Sequence, residues 1–331
     1  MQLPAIVFPR KQFAELGTYA WRDVGPNDVR VETTMSLISI GTESFCYRGE
    51  FEPNTTWAGW VKYPFYPGYS TVGVVAEKGG EVKHLNFGDR VFVRTCHSAG
   101  AVVAGDAAVR IPDNVTDEAA GLGALATVTQ TGIRRAEHTM GDTAVVIGLG
   151  PLGQLVTQYL RVLGLRRIIA VDTAPARLAF AKSHGATDTF EGSAADAVAF
   201  VKACTDGMLA DVVYDMTGHW AVLPLALKLA RQFGKVMLIG DTPEPTRQHL
   251  TQDVLARQVS IIGSHNEKLQ PQYAHWSTRR QCELFFDYLS RGMMKTGDLV
   301  THRFKPADAN DAYQLLATKR SDVMGLVFDW K

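Results

Sequence analysis

The sequence predicts an α/β chain of two domains: a compact antiparallel barrel or sandwich, then a doubly wound parallel sheet. Three observations carry this reading. The first third consists of short alternating or β-branched runs parted by Gly, Pro and Asp. After Pro112 strand and helix patterns alternate, which calls for a parallel sheet with helices on both faces. The length of 331 residues exceeds that of an ordinary single domain.

In order, "DVRVETTMSLISIG", "STVGVVAEKG", "DRVFVRT" and "SAGAVVAGDAAVRIP" read as strands of the first domain. The stretch 116–137 opens on Thr116 as N-cap, with acids in its first turn, and reads as a helix broken at its glycines. "TAVVIGLG" and "RRIIAVD" are strands, followed by the helices "PLGQLVTQYLRVLG" and "APARLAFAKSHG". Next come the strand "ADVVYDMTG", a helix over 220–232, the strand "GKVMLIGD", a helix over 252–258 and the strand "VSIIGS". The last stretch holds two helices and a final strand, "MGLVFDW", that returns to the first domain.

The composition is 46% hydrophobic and 21% charged, with formal net charge zero. No basic surface for nucleic acid or a membrane is implied. The N-terminus carries no basic-then-apolar signal, and no apolar run approaches a membrane span. Cys46, Cys96, Cys204 and Cys282 are scattered and form no CxxC pair, as expected of reduced thiols in a cytoplasmic protein.

"VVIGLGPLG" places Gly148, Gly150 and Gly153 between a buried strand and a helix that starts at Pro151 and Leu152. The first glycine allows a tight turn, the second lets backbone approach a pyrophosphate, and the third lets helix and strand pack closely. The phosphates would sit on the free amides of the helix N-terminus. The next strand ends in Asp172, about 20 residues beyond the glycines, where an acid reaches a ribose 2′-hydroxyl. A carboxylate repels a 2′-phosphate, so NAD is expected; Arg177 nearby keeps NADP open. Asp172 also reads as a simple strand-end cap.

With these motifs the chain resembles the medium-chain dehydrogenase/reductase superfamily over nearly its whole length. "GDRVFV", "GLGPLG", "AKSHGATD" and "GKVMLIG" look like that family's recurring segments. The resemblance implies a chaperonin-10-like (GroES-like) catalytic domain over 1–124 and 266–331 and a Rossmann NAD-binding domain over 125–265. The family's zinc enzymes carry Cys-Gly-Thr/Ser-Asp and then Gly-His-Glu. Here those segments read "IGTE" and "PGYS", so Ile40, Tyr69 and Ser70 stand where Cys, His and Glu are expected. No ligand type stands near Ala124, and the lobe of four cysteines is absent. Ile, Tyr and Ser do not make the usual zinc shell. A zinc-lacking member is implied, and Gly-Thr-Glu with Pro-Gly-Tyr looks like the branch that includes bacteriochlorophyllide hydroxyethyl dehydrogenase and sugar-associated oxidoreductases. Ser70 departs from that branch, where Glu is expected.

Without zinc, side chains must manage the hydroxyl proton. By resemblance, Thr42 falls on the family's relay hydroxyl and Glu43 on the acid behind the ligand His, here facing Tyr69. Tyr69 and Glu43 read as a proton-handling pair, or as a buried pair holding a loop. His97 in "RTCHSAG" is a candidate base or a surface-loop histidine. A relocated metal site from Cys46, Cys96, His97 and Glu43 is an alternative to no metal. Phe45 stands where many relatives place an outer relay histidine. Trp57, Trp60 and Tyr63 are candidates to stack on a sugar ring, or core residues. Thr217 and Ser264 end strands that face the nicotinamide side in this architecture.

The expectation is an NAD(H)-dependent, zinc-independent oxidoreductase. It would interconvert a secondary alcohol and a ketone on a sugar, polyol or cyclitol-like small molecule. The alternatives are an NADPH-dependent quinone or enoyl C=C reductase and a cofactor-binding non-enzyme. Relatives imply a homodimer, with a tetramer as the alternative.

Overall fold

A computed structural model of the chain describes residues 1–265 and 268–331. It forms two compact units: Met1–Ala124 with Thr278–Lys331, and Leu125–Ser277. The expected return at 266 falls on a residue outside those described. The return comes at Thr278, because Trp276 stays with the second unit, its ring lying 3.8 Å from the Arg134 guanidinium carbon.

The first unit opens with β1 (Gln2–Arg10) and β2 (Phe13–Ala20), an antiparallel two-stranded sheet. β3 (Asp28–Ile38) is followed by the short helices α1 (Thr42–Arg48) and α2 (Thr56–Trp60). Then come β4 (Thr71–Lys78), β5 (Arg90–Val93), β6 (Gly100–Ala104), β7 (Val109–Arg110) and α3 (Asp117–Ala120).

The second unit begins at Leu125, in the first turn of α4 (Gly123–Ala136), and continues with β8 (Thr143–Ile147), α5 (Pro151–Leu163), β9 (Arg167–Asp172), α6 (Pro175–His184) and β10 (Asp188–Glu191). It continues with α7 (Ala197–Cys204), β11 (Ala210–Asp215), α8 (Leu223–Leu229), β12 (Ala230–Leu238), α9 (Asp253–Ala256) and β13 (Ser260–Gly263). The chain closes with α10 (Thr278–Ser290), β14 (Val300–Phe304), α11 (Ala309–Thr318) and β15 (Gly325–Asp329), which belong to the first unit.

The larger sheet of the first unit runs β14-β15-β3-β4-β5-β7, with β6 also paired to β3. All its pairs are antiparallel except β14 with β15. Val29, Val31, Val75, Val91 and Val93 pack together from neighbouring strands. A second core joins Phe8, Ile38, Tyr47, Tyr313 and Phe328. The final strand therefore returns to β3, in register Leu326 opposite Ile38.

The sheet of the second unit runs β10-β9-β8-β11-β12-β13, all parallel. The strand order reverses between β8 and β11, the switch point where such sheets take ligands beyond their carboxyl ends. Its two faces carry separate apolar cores, one around Val146, Leu160 and Ile168, the other around Val145, Ile169 and Leu227.

Local differences from the sequence expectation have physical causes. The helix expected over 220–232 stops at Leu229, because Ala230 already pairs with Ala210 in the sheet. The helix expected over 116–137 is two, broken at Gly121 and Leu122 as its glycines suggested. Among the elements beyond the sequence expectation are β1, where Pro4 and Pro9 mask the alternation, β14, a polar run "VTHRF", and β2, β10 and α7. Among the described residues no helix is long and apolar enough to cross a membrane.

Candidate active site

The glycine turn after β8 is a cradle. Gly148 has φ +87, and a Cβ there would lie 2.8 Å from the Thr217 methyl. A Cβ on Gly153 would come within 2.0 Å of the Gly148 carbonyl oxygen, so helix and turn meet backbone to backbone. A Cβ on Gly150 would meet nothing within 4 Å. Gly150 is the N-cap of α5, Pro151 follows in its first turn, and no side chain caps that end. The first amides of a 13-residue helix are thus left for an anion in the open space above Gly150. Leu152 packs against the apolar core below.

Asp172 is buried at the end of β9. Its carboxylate accepts from Leu149 N–H at 2.6 Å and from Ala174 N–H at 2.8 Å. It therefore fastens the glycine turn to β9. A carboxylate has about four acceptor positions, so two remain. Arg177 is half-buried in the first turn of α6, where its carbonyl accepts from Gln154 Nε2 at 2.9 Å.

Thr217 follows β11 and faces the same turn. Its N–H and hydroxyl both donate to Asp215 Oδ1, at 2.9 and 2.7 Å. Asp215 was not singled out from the sequence. Burial pushes its carboxyl up to about 6, against the opposing pull of the Thr217 bonds. The Ser264 hydroxyl, beyond β13, is buried and has no hydrogen-bond partner among the described residues. A buried hydroxyl in that state is open to a bond from a ligand. Turn, free helix end, acid and orphaned hydroxyl fit a dinucleotide.

The proton-handling candidates lie in the first unit. The Tyr69 hydroxyl bonds Ser39 Oγ and lies 3.3 Å from Thr42 Oγ1. Burial pushes the phenol above its ordinary value; the Ser39 and Thr42 bonds act the other way. The Arg94 guanidinium carbon lies 5.8 Å from the ring centroid.

The expected Glu43–Tyr69 pair is corrected here. Glu43 is 1% exposed and spends its carboxylate on three other donors. Oε1 accepts from Ser39 N–H at 2.7 Å; Oε2 accepts from Tyr313 O–H at 2.6 Å and from His97 Nε2 at 2.9 Å. His97 is corrected as well: it is wholly buried, neither a surface-loop residue nor a base facing open space. Its Nδ1 lies 2.8 Å from Ser36 Oγ, which accepts from Trp330 Nε1–H at 2.9 Å. Ser36, Ser39, Tyr313 and Trp330 were missed from the sequence. Their contacts with this group depend on tertiary packing and leave no local motif.

The relocated metal site is not formed. Among the described residues, no three His, Cys, Asp or Glu side chains gather to hold an ion. Both His97 nitrogens are engaged, and burial drives the Cys46 thiol far up. The conventional zinc position fits no better. Ile40 is core, Tyr69 is tied to Ser39 and Thr42, and Ser70 Oγ donates to Gly121 O at 2.5 Å. That donor set does not suit zinc.

The aromatic trio is not a stacking wall. Trp57 is buried, edge-on to Phe45 at 5.4 Å. Tyr63 donates to Cys46 O at 2.6 Å, and burial pushes its phenol up to about 12. Trp60, 52% exposed, alone faces outward.

Comparison with known proteins agrees with this geometry. The family described as alcohol dehydrogenase GroES-like domain matches residues 25–145, and zinc-binding dehydrogenase matches 151–278. An L-threonine 3-dehydrogenase of Bacillus velezensis is 26% identical over 327 residues, 88% of this chain and 89% of its own. The solved structure of rspB from E. coli CFT073, described as a short chain alcohol dehydrogenase complexed with NADH, aligns with TM-score 0.82 and 22% identity over 99% of both chains. A putative zinc-binding dehydrogenase of Sinorhizobium meliloti 1021 bound to NADP aligns with TM-score 0.81 and 19% identity, again over 99% of both. A GroES-like first unit, a Rossmann second unit and two family matches in the right order leave one conclusion: the chain belongs to the medium-chain, zinc-type alcohol dehydrogenase-like superfamily.

Proposed function

We propose that the chain interconverts a secondary alcohol and a ketone with NAD(H), and does so without zinc. The substrate class is a hydroxylated small molecule such as a sugar, polyol or cyclitol. The observation that carries this is the cluster of the Tyr69, Thr42 and Ser39 hydroxyls, with Tyr69 at the position where the zinc enzymes that the chain resembles carry a ligand His.

Gly148, Gly150 and Gly153 would seat the pyrophosphate, with Pro151 and Leu152 opening the helix beneath it. Asp172 would take a ribose hydroxyl on its two remaining acceptor positions, with Arg177 beside it. Thr217 and Ser264 would meet the nicotinamide side. The bound nicotinamide supplies or takes up a hydride. Tyr69 manages the proton. A phenol held above its ordinary value stays protonated at neutral pH and donates to a carbonyl oxygen as negative charge develops there. Thr42 holds the phenol oxygen in place.

The test is an alcohol and ketone panel run on protein stripped of adventitious metal, with NAD(H) and NADP(H) side by side. Turnover with NAD(H), unaffected by chelator and lowered about 10²-fold or more in Tyr69→Phe, is expected. Activity that appears after zinc is added, or reduction of enones with NADPH alone, would overturn it.

A further inference from the structure

Ser39 was not recognised in the sequence, yet it joins the two halves of the polar group. Its Oγ accepts from the Tyr69 phenol. Its N–H donates to Glu43 Oε1 at 2.7 Å, and Glu43 N–H donates back to Ser39 O at 2.9 Å. The carboxylate thus reaches back over the start of α1 much as a capping-box acid does, and pins the backbone of the residue that meets Tyr69.

Behind Glu43 lies a buried hydrogen-bonded group. An indole N–H is a donor only, so Trp330 must donate to Ser36 Oγ. Ser36 Oγ also lies 2.8 Å from His97 Nδ1 and has a second acceptor site as well as its one hydrogen for that contact. An ionised carboxylate only accepts, so His97 Nε2–H donates to Glu43 Oε2 at 2.9 Å. Tyr313 adds a second donor to Oε2. The link from this group to the residue that meets Tyr69 is the Ser39 amide, which donates to Glu43 Oε1 but passes no proton onward.

We propose that Ser39 is the positioning residue of the Tyr69 phenol, and that Glu43, His97, Ser36, Trp330 and Tyr313 hold Ser39 in place rather than carry protons to the substrate. The proposal rests on the reading of Tyr69 as proton donor. When Tyr69 gives its proton to the substrate oxygen, the electron pair of the O–H bond stays on the phenol oxygen. Ser39 and Thr42 then turn their hydroxyl hydrogens towards that oxygen. No proton leaves Ser39; it steadies the phenolate until solvent restores the proton. A hydrogen bond to a charged oxygen held in this way is worth about 10- to 100-fold in rate.

The experiment compares Ser39→Ala, Ser39→Thr, Tyr69→Phe and the double variant Ser39→Ala/Tyr69→Phe, each checked by circular dichroism. Ser39→Cys replaces Ser39→Ala should the alanine protein misfold. Two readouts are taken. In protein labelled with ring-13C tyrosine, the resonance lost in Tyr69→Phe identifies Tyr69. That resonance is expected to move in Ser39→Ala and to return in Ser39→Thr. In ketone reduction, Ser39→Ala is expected to lower kcat about 10-fold or more with KM nearly unchanged, and the double variant to be no slower than Tyr69→Phe. An unmoved Tyr69 resonance, or losses that multiply in the double variant, would overturn the proposal. If no ketone is turned over, the proposed function fails by itself, and the resonance still decides the bond between Ser39 and Tyr69.

Discussion

Tyr313 donates its phenolic hydrogen to Glu43 Oε2 at 2.6 Å, joining α11 to α1 across 270 positions of sequence. The ring is also core. It stands edge-on to Phe8 at 4.7 Å and stacks on Tyr47 at 5.4 Å. Apolar packing and a buried hydrogen bond therefore share one side chain and can be separated by experiment. Tyr313→Phe keeps the ring and removes one of three donors to a buried carboxylate. It is expected to cost about 1–3 kcal/mol, read as a lower urea midpoint by tryptophan fluorescence. An unchanged midpoint would mean that the carboxylate does not need this donor.

The glycine turn separates folding from binding. Gly153→Ala places a Cβ 2.0 Å from the Gly148 carbonyl oxygen, so the turn itself must move. Gly150→Ala meets nothing within 4 Å, and at φ −65 its backbone suits alanine. Gly153→Ala should lower both the melting temperature and NADH binding. Gly150→Ala should leave the melting temperature alone and weaken NADH binding about 10-fold or more, because its methyl fills the space a pyrophosphate needs. Fluorescence titration and thermal melts on both variants check this. Unweakened NADH binding in Gly150→Ala would remove the pyrophosphate from that space.

Ser264 gives a second separation. The buried Ser264 hydroxyl has no partner among the described residues, and such a group costs stability. Ser264→Ala should melt at the same temperature as the parent or slightly higher, yet bind NADH several-fold more weakly if the hydroxyl serves the nicotinamide side. Equal affinity would place the hydroxyl outside the cofactor's contacts.

How far these features were readable differs by their range. Gly148, Gly150 and Gly153 impose local geometry, so their spacing was enough to place the turn and its helix. Most of the alternation from β8 to β13 was readable for the same reason, but β10 and α7 were not. Tyr69 and Thr42 were found because a resemblance marked their positions, and they do meet. Glu43 and His97 were found but misassigned. A sequence shows that a carboxylate is present, not that Ser39, His97 and Tyr313 have already engaged it. Tyr313 and Trp330 bring polar atoms from 270 and 294 positions away, and no local pattern encodes such a meeting. Trp57 and Tyr63 looked like ligand-stacking aromatics because surface and core aromatics share one alphabet; burial alone tells them apart.

Asp215 gives the last prediction, in pH. Burial raises its carboxyl from 3.8 to about 6. The folded protein therefore binds this proton more tightly than the unfolded chain. The stabilisation from that protonation is fully present below the unfolded value of 3.8 and is lost as pH rises through about 6. At about 1.4 kcal/mol per pH unit, the window amounts to about 3 kcal/mol. Asp215→Asn keeps an oxygen for the two Thr217 bonds and removes the ionisation. It should unfold at higher urea than the parent at pH 7 to 8. The difference should shrink as pH falls through about 6 and vanish near 4. The measurement is a set of urea midpoints for both proteins across that range. A constant difference would show that Asp215 does not titrate in the window. A reversed one would show that the ionised carboxylate is held by Thr217 more firmly than burial opposes it.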